Sequence, residues 1–115
     1  MKYVLVFITV GTSKEGRKIG KNLISKKLAA CVNQIPGVTS TYWWKGKIEQ
    51  ARENLLIVKT SGLKLKGLIA EVKKIHSYTV PEIIALPIAK GNRDYLKWIG
   101  QSLKSTSRNS SSPSP

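Results

Sequence analysis

The chain has few of the residues that most often carry chemistry. Its 115 residues include one cysteine, Cys31, and one histidine, His76. A single cysteine excludes an intrachain disulfide, and one cysteine with one histidine cannot supply the clustered ligands of a zinc site. The sequence also lacks a glycine-rich phosphate loop and a nucleophile paired with a base. We therefore expect a protein without enzymatic activity.

Long apolar runs are also missing. No stretch approaches the ~20 apolar residues of a membrane span. The N-terminal run that ends at Ile8 is too short for a secretory signal, and Thr9 and Gly11 follow it in place of a small-residue cleavage site. These features predict a soluble, cytoplasmic protein with no membrane partner.

Acidic residues are scarce, and the balance is strongly basic. Twenty Lys and Arg against six Asp and Glu give a net charge of +14. Such an excess first suggests nucleic acid. However, the lysines are scattered, and most fall on the expected outer faces of two helices, where they are typical of a solvated surface. We do not expect a nucleic-acid partner, whereas a phosphate-rich or anionic partner stays open.

The last dozen residues differ in composition from the rest. From Lys104 onward the sequence is rich in Ser and Pro and has no large apolar residue. Such a segment cannot bury enough surface to offset its ordering entropy. The sequence predicts one domain over residues 1–103 and a disordered Ser/Pro-rich tail over residues 104–115.

Hydrophobic periodicity predicts an α+β fold in the order β-α-β-β-α-β with a C-terminal helix. This is the ferredoxin-like, split βαβ arrangement, a sandwich of two helices on one face of an antiparallel sheet. The predicted elements are a strand over 3–10, a helix from Thr12 or Ser13 to about Leu28, a long hairpin, a helix from Ser61 or Gly62 that ends at Val80-Pro81, a strand over 82–88, and a helix with Leu96, Ile99 and Leu103 on one side.

The long hairpin is the most distinctive element of the prediction. Pro36 cannot donate to a ladder and Gly37 tolerates a bulge, so the first strand should bend there. Lys45-Gly46-Lys47 should form the turn. Near this tip lie Tyr42, Trp43 and Trp44, which with Tyr78 either stack on a base or are buried between subunits.

The strand patterns also predict an oligomer. Two helices cover only one face of such a sheet, so the other face should be polar. Instead, the first strand places Val4, Val6 and Ile8 on one face and Leu5 and Phe7 on the other. The simplest cover for the second apolar face is another copy of the chain, so we expect an obligate homo-oligomer.

Four segments in order resemble the CutA divalent-cation tolerance family. They read LAACVN at 28–33, IPGVTS at 35–40, YWWKGKIE at 42–49 and PEIIALP at 81–87. The resemblance implies a ferredoxin-like subunit, a tight homotrimer with its hairpins around the three-fold axis, and a link to copper and other divalent ions. It implies no enzymatic activity. The family's fold is similar to that of the PII signalling proteins, which implies a sensor or adaptor as the alternative function.

The sequence departs from the family's pattern at places where metal ligands are implied. The family's loop usually reads His-Pro-Tyr-Glu-Val-Pro-Glu, whereas residues 76–82 have Thr79 at the position of the first Glu. Some members have a cysteine near the end of the first strand or a second histidine beside the first. Here those positions hold Ile8 and Ile75.

Three residues are the candidate metal ligands. Cys31 as thiolate suits Cu(I), or it is simply a small buried residue. His76, placed in the last turn of a helix, is either a metal ligand or a C-terminal cap. Glu82 either completes a site with His76 or pairs with Lys59. One histidine and one carboxylate make a weak site in a single subunit, so a strong one needs ligands from a neighbour.

A second candidate site is a cleft between subunits. Trp44, Lys59, Tyr78 and Glu82 lie near the expected subunit junctions, and Lys59 offers a cation for an anionic ligand. On this alternative hypothesis, the protein is a PII-like trimeric sensor or adaptor that binds an anionic small molecule or a protein partner.

Overall fold

The structure, a computed structural model, describes residues 2–104. It has the predicted α+β order with a C-terminal helix. The elements are strand β1 (Tyr3–Val10), helix α1 (Ser13–Ser25), strands β2 (Cys31–Trp44) and β3 (Lys47–Ser61), a single 3-10 turn (Gly62–Lys64), helix α2 (Leu65–Ile75), strand β4 (Ile83–Pro87) and helix α3 (Arg93–Ser102).

The four strands form one antiparallel sheet in the order β2-β3-β1-β4, which is the predicted ferredoxin-like arrangement. Helices α1 and α2 cover one face. Alternate residues of β1 point into this layer and are fully buried, while helical spacing brings α1 and α2 side chains to meet them. The core contains Val4, Val6, Ile8, Val10, Ile19, Leu23, Leu56, Val58, Leu68 and Val72.

Three elements end earlier than predicted. Helix α1 ends at Ser25 and not near Leu28, because Lys27 has a φ of 59° and the chain turns back toward Leu23. Helix α2 ends at Ile75, because His76 is extended with a ψ of 140°. Strand β4 is shorter than the predicted 82–88.

The hairpin formed by β2 and β3 has both predicted irregularities. The pairing shifts between Ile35 and Val38, around Gly37 at a φ of 75°. At the tip, Lys45 and Gly46 have φ values of 51° and 78°, as a type I′ turn requires. The register of β1 ends at Asn54, so the outer half of the hairpin extends beyond the rest of the sheet.

The second face of the sheet is apolar and only partly covered, and we call it the open face. Its members are half-buried or exposed in the single subunit, and helix α3 lies over one end of it, where Gly100 closely approaches the Tyr3 hydroxyl. The prediction that two helices leave this face uncovered is therefore confirmed, with α3 as a partial lid. The open face contains Leu5, Phe7, Ile35, Leu55, Ile57, Ile84 and Leu86.

Helices α1 and α2 are joined by a nearly buried carboxylate, Glu71. It accepts hydrogen bonds from Asn22 Nδ2 at 2.6 Å and from Lys26 Nζ at 3.0 Å. These bonds hold the pKa of Glu71 below its usual value, with the Asn22 bond as the largest cause. Its carboxylate therefore favours folding only while it is ionised.

The lowered pKa of Glu71 sets the sign of a pH effect. Because the folded pKa is depressed, its contribution is complete above about pH 4.5 and is lost as the pH falls through the folded pKa. We expect Glu71→Gln to flatten the acid limb of a stability-against-pH curve measured by thermal denaturation. An unchanged acid limb would contradict this role.

Two sequence predictions concern the ends and the surface of the chain. The predicted tail lies, apart from Lys104, outside the described residues, and the division at residue 103 stays a prediction.

The basic side chains of α1 and α2 are on their outer faces, as predicted. Among residues 2–104, no helix is long and apolar enough to cross a membrane.

Candidate functional site: an acidic, aromatic cleft

A cleft of about 730 Å³ lies where the sheet ends and the hairpin continues alone. Its walls come from the open-face side of the hairpin, from the end of β1 and from the segment that joins α2 to β4. The volume is within the ~300–1,000 Å³ of small-ligand sites. The lining residues are Thr9, Ser40, Thr41, Tyr42, Trp44, Glu53, Ser77, Tyr78, Thr79, Val80 and Glu82.

Glu53 and Tyr78 are joined by a short hydrogen bond in the cleft. The Tyr78 hydroxyl donates to Glu53 Oε2 at 2.7 Å, and Glu53 is only 6% exposed. Burial, followed by this bond to a carboxylate, raises the pKa of Tyr78 well above its usual value. The hydroxyl therefore stays protonated and the carboxylate keeps a donor.

Glu82 and Trp44 occupy the remaining walls. Thr9 Oγ1 donates to Glu82 Oε1 over a long 3.4 Å, so most of the hydrogen-bonding capacity of this carboxylate is free for a ligand. Strand alternation places Trp44 on the same face as Glu53. It places Trp43, paired with Ile48, on the opposite face, and Trp43 does not line the cleft.

His76 lies behind the cleft, and its ring is engaged on both sides. Its side chain is 0% exposed. Nδ1 lies 2.9 Å from the Tyr78 backbone N–H, and Nε2 lies 2.8 Å from the Thr9 carbonyl. An amide can only donate and a carbonyl can only accept, so Nδ1 accepts, Nε2 donates and the ring is neutral.

One of the two sequence interpretations of His76 agrees with this geometry. His76 is the C-cap residue of α2, where its backbone N–H donates to the Val72 carbonyl at 2.8 Å, while its ring bonds to groups outside the helix. Neither ring nitrogen has a lone pair left for a metal ion. Glu15, 3.6 Å from Nδ1, is held by the Ser77 backbone N–H at 2.8 Å and hydroxyl at 2.9 Å.

Lys59 lies away from the cleft, in a group with Cys31. Its ammonium donates to Asn33 Oδ1 and is 3.9 Å from Cys31 Sγ. Burial, followed by the neighbouring Cys31 thiol, raises the pKa of Tyr95 on α3. Lys59 pairs with Leu5 at the end of the sheet that α3 covers.

The prediction that Glu82 pairs with Lys59 is therefore wrong for the single subunit. The described residues contain no such pair within 4.0 Å. Lys59 pairs with Leu5 of β1, whereas Glu82 contacts Thr9 of the same strand. Leu5 and Thr9 are four residues apart, which is about 13 Å along a strand.

The structure brings together some of the predicted site residues and separates others. Trp44, Tyr78 and Glu82 line one cleft, while Lys59 and Cys31 are at the other end of the open face. Within residues 2–104 there is no group of three or more Cys, His, Asp or Glu side chains placed to hold a metal ion. The predicted ligands Cys31, His76 and Glu82 therefore do not fit one metal site within a single subunit.

Glu53 is a cleft residue that was not among the predicted site residues. It is a carboxylate on a strand face otherwise occupied by Leu55 and Ile57, and period-two alternation alone places it there. An acidic residue at an otherwise apolar position of a strand can be recognised in the sequence. The contact of Glu53 with Tyr78, which is 25 residues away, cannot be recognised in this way.

The charge of the cleft is opposite to that of the chain. Two carboxylates, Glu53 and Glu82, line it, and no Lys or Arg of residues 2–104 does, although the chain has 20 of these residues against six acids. Glu15 adds a third carboxylate just behind Ser77. A cavity of one charge sign concentrates ions of the opposite sign, which here are cations.

The fold and the cleft together define a class, namely ferredoxin-like α+β domains with an extended hairpin, an open apolar sheet face and a small-ligand cleft. The comparison with known proteins narrows this class to one family. The family described as CutA1 divalent ion tolerance protein matches residues 4–102, and the chain belongs to it.

Several relatives are similar over most of the chain. The divalent-cation tolerance protein CutA of Thermus thermophilus is 50% identical over 95 residues, which are 83% of this chain and 92% of the relative. The chloroplastic protein CutA 1 of rice is 47% identical over 101 residues, 88% of this chain but only 57% of the relative. The chain thus spans little more than half of the rice protein.

Solved structures agree with the fold. CutA from Archaeoglobus fulgidus, described as periplasmic, has a TM-score of 0.86 at 44% identity and covers 89% of this chain and 99% of its own. CutA1 from rice has a TM-score of 0.88 at 44% identity, covering 92% and 97%.

Proposed function

We propose that the protein is a non-enzymatic, cytoplasmic homotrimer that serves divalent-cation tolerance by binding divalent cations, copper foremost, in the acidic cleft. One observation carries this proposal: in a chain of net charge +14, the described residues that line the cleft include two carboxylates and no Lys or Arg. The family to which the chain belongs supports the ligand class.

Glu82 is the residue best placed to contact a cation. Glu53 already accepts from the Tyr78 hydroxyl, whereas Glu82 has only one long bond to Thr9. One free carboxylate is too few for a divalent ion, which takes at least three or four ligands. On our proposal, neighbouring subunits supply the rest. Cys31 and His76 stay predicted ligands, and His76 would have to release a ring nitrogen first.

The homotrimer is supported by the surface that the subunit leaves uncovered. The open face exposes Ile84, Leu86 and Ile35 to solvent in the single subunit. At the hairpin tip Trp43 is 71% and Ile48 64% exposed. Exposed large apolar side chains in such number are typical of interfaces, and copies of the same chain are the simplest cover.

The decisive test of the cation site is Glu82→Gln. This substitution keeps the shape and removes the charge, so we expect at least a tenfold loss of affinity for Cu²⁺ in calorimetry, about 1.4 kcal/mol. Asp94→Asn is the matched control, because it removes one exposed carboxylate from the first turn of α3. Equal affinity in wild type and Glu82→Gln would exclude the cleft as the metal site.

A sensor or adaptor of an anionic small molecule is the second candidate. The volume of the cleft favours a ligand larger than a metal ion. An anion, however, would need a basic side chain from a neighbouring subunit, because Lys59 is not in the cleft. A thermal-shift screen with nucleotides and organic acids tests it, and no shift with any anion counts against it.

A further inference from the structure

The walls of the cleft are aromatic. Tyr42 and Trp44, two residues apart on one face of β2, form one side, and Tyr78 stands across from them. The faces of such rings carry negative electrostatic potential and attract cations.

The carboxylates reinforce this preference for positive charge. Glu53 is nearly buried in the floor of the cleft, and Glu82 has most of its hydrogen-bonding capacity free. Aromatic faces with carboxylates, and without a Lys or Arg among the lining residues, are the combination that recognises organic ammonium ions.

The dimensions of the cleft also fit an organic ion better than a bare metal ion. About 730 Å³ is far more space than one coordinated ion fills. The described residues include no group of three His, Cys, Asp or Glu side chains that could hold a metal ion there. An alkylated ammonium ion needs no directed ligands, because it binds through its apolar surface and diffuse charge.

Trp44 already attracts an ammonium group within the subunit. Lys45 Nζ, from the turn of the hairpin, lies 6.0 Å from the centre of its ring. Lys45 does not line the cleft. Trp44 is 47% exposed in the single subunit, so a second cation can reach its ring.

We propose that the cleft formed by Tyr42, Trp44 and Tyr78 with Glu53 and Glu82 binds an alkylated organic ammonium ion. Trp44 and Tyr42 hold the alkyl groups by cation–π contact, and Glu82 balances the charge. The inference uses the cleft of the proposed function but assigns a different ligand, so each stands or falls separately.

The test is a ligand-observed NMR titration of the full chain with tetramethylammonium. The matched probe is tert-butanol, which has similar size and no charge. We expect saturable binding of tetramethylammonium at no more than one ion per subunit, and no saturable binding of tert-butanol. Equal binding of both probes, or of neither, overturns the proposal. This comparison needs no variant and is independent of folding defects.

Two tryptophan variants then locate the site. We expect Trp44→Leu to weaken tetramethylammonium binding about tenfold. Trp43→Leu removes the neighbouring indole on the opposite face of β2 and should leave the affinity unchanged. Circular dichroism verifies that both variants fold. Unchanged affinity in Trp44→Leu, or equal losses in both variants, contradicts the assignment.

Copper titration separates this proposal from the metal site. Tetramethylammonium binding that depends on Trp44, with no saturable copper binding, supports the organic ligand and removes the metal proposal. Copper binding that depends on Glu82, with no tetramethylammonium binding, supports the metal site and overturns the organic ligand. Competition between the two ions would support both proposals, because it would show that both ions occupy the cleft.

Discussion

Phe7→Asp is expected to dissociate the assembly. Phe7 lies in the middle of β1 on the open face, in one row with Ile57 and Ile84. If another subunit covers this face, the substitution buries a carboxylate without a partner in every subunit. The cost is about 3–5 kcal/mol per subunit. Light scattering should then give a mass near 12.7 kDa, in place of three times that value for the wild type.

Leu63→Asp is the matched control for this experiment. Leu63 is also a large apolar residue, but it is 96% exposed in the 3-10 turn and lies outside the open face. The same change of side chain there should leave the oligomer intact. A Phe7→Asp protein with the wild-type mass and melting temperature would show that the open face is not the interface.

His76→Ala should destabilise the protein strongly even when no metal is present. The ring joins the Thr9 carbonyl of β1 to the Tyr78 backbone N–H of the cleft wall. Its loss leaves the buried Thr9 carbonyl and the partly buried Tyr78 N–H without their partner and opens a cavity. We expect unfolding free energy to fall by about 2–5 kcal/mol. Denaturant unfolding in the presence of a chelator measures this directly.

Ser77→Ala is the control for His76. It removes only the exposed Ser77–Glu15 side-chain bond and should change stability by about 0.5 kcal/mol or less. If His76 acts instead as a metal ligand, His76→Ala leaves the chelated protein as stable as the wild type and lowers only its copper affinity. That outcome would contradict the bridging role.

The fold was largely predictable because local sequence determines it. The apolar alternation of β1, the helical spacing of Leu68 and Val72, and the turn at Lys45-Gly46 each depend on neighbouring residues. Helix ends were less predictable. Helix α2 stops at Ile75 because the ring of His76 bonds to Thr9, which is 67 residues away.

The site was predictable only in part, because it depends on strand register. Trp44, Tyr78 and Glu82 do line one cleft of the single subunit, whereas the cleft between subunits that the sequence suggested stays a prediction. Lys59 does not line this cleft, and its distance from Glu53 along β3 explains why. It is six residues from Glu53 along β3, about 20 Å, which is too far for both to line one small cleft. The Tyr78–Glu53 and His76–Thr9 contacts join distant segments and leave no local pattern.

The central claim is that the cleft selects cations. Its most direct test is calorimetry on the purified full chain, with the molar mass fixed beforehand by light scattering. Copper, tetramethylammonium and a nucleoside triphosphate are titrated separately at low ionic strength. We predict saturable heat with one or both cations, at a fixed ratio of one per subunit or one per trimer, and none with the anion. Saturable binding of the nucleotide alone would contradict the claim and favour the sensor function.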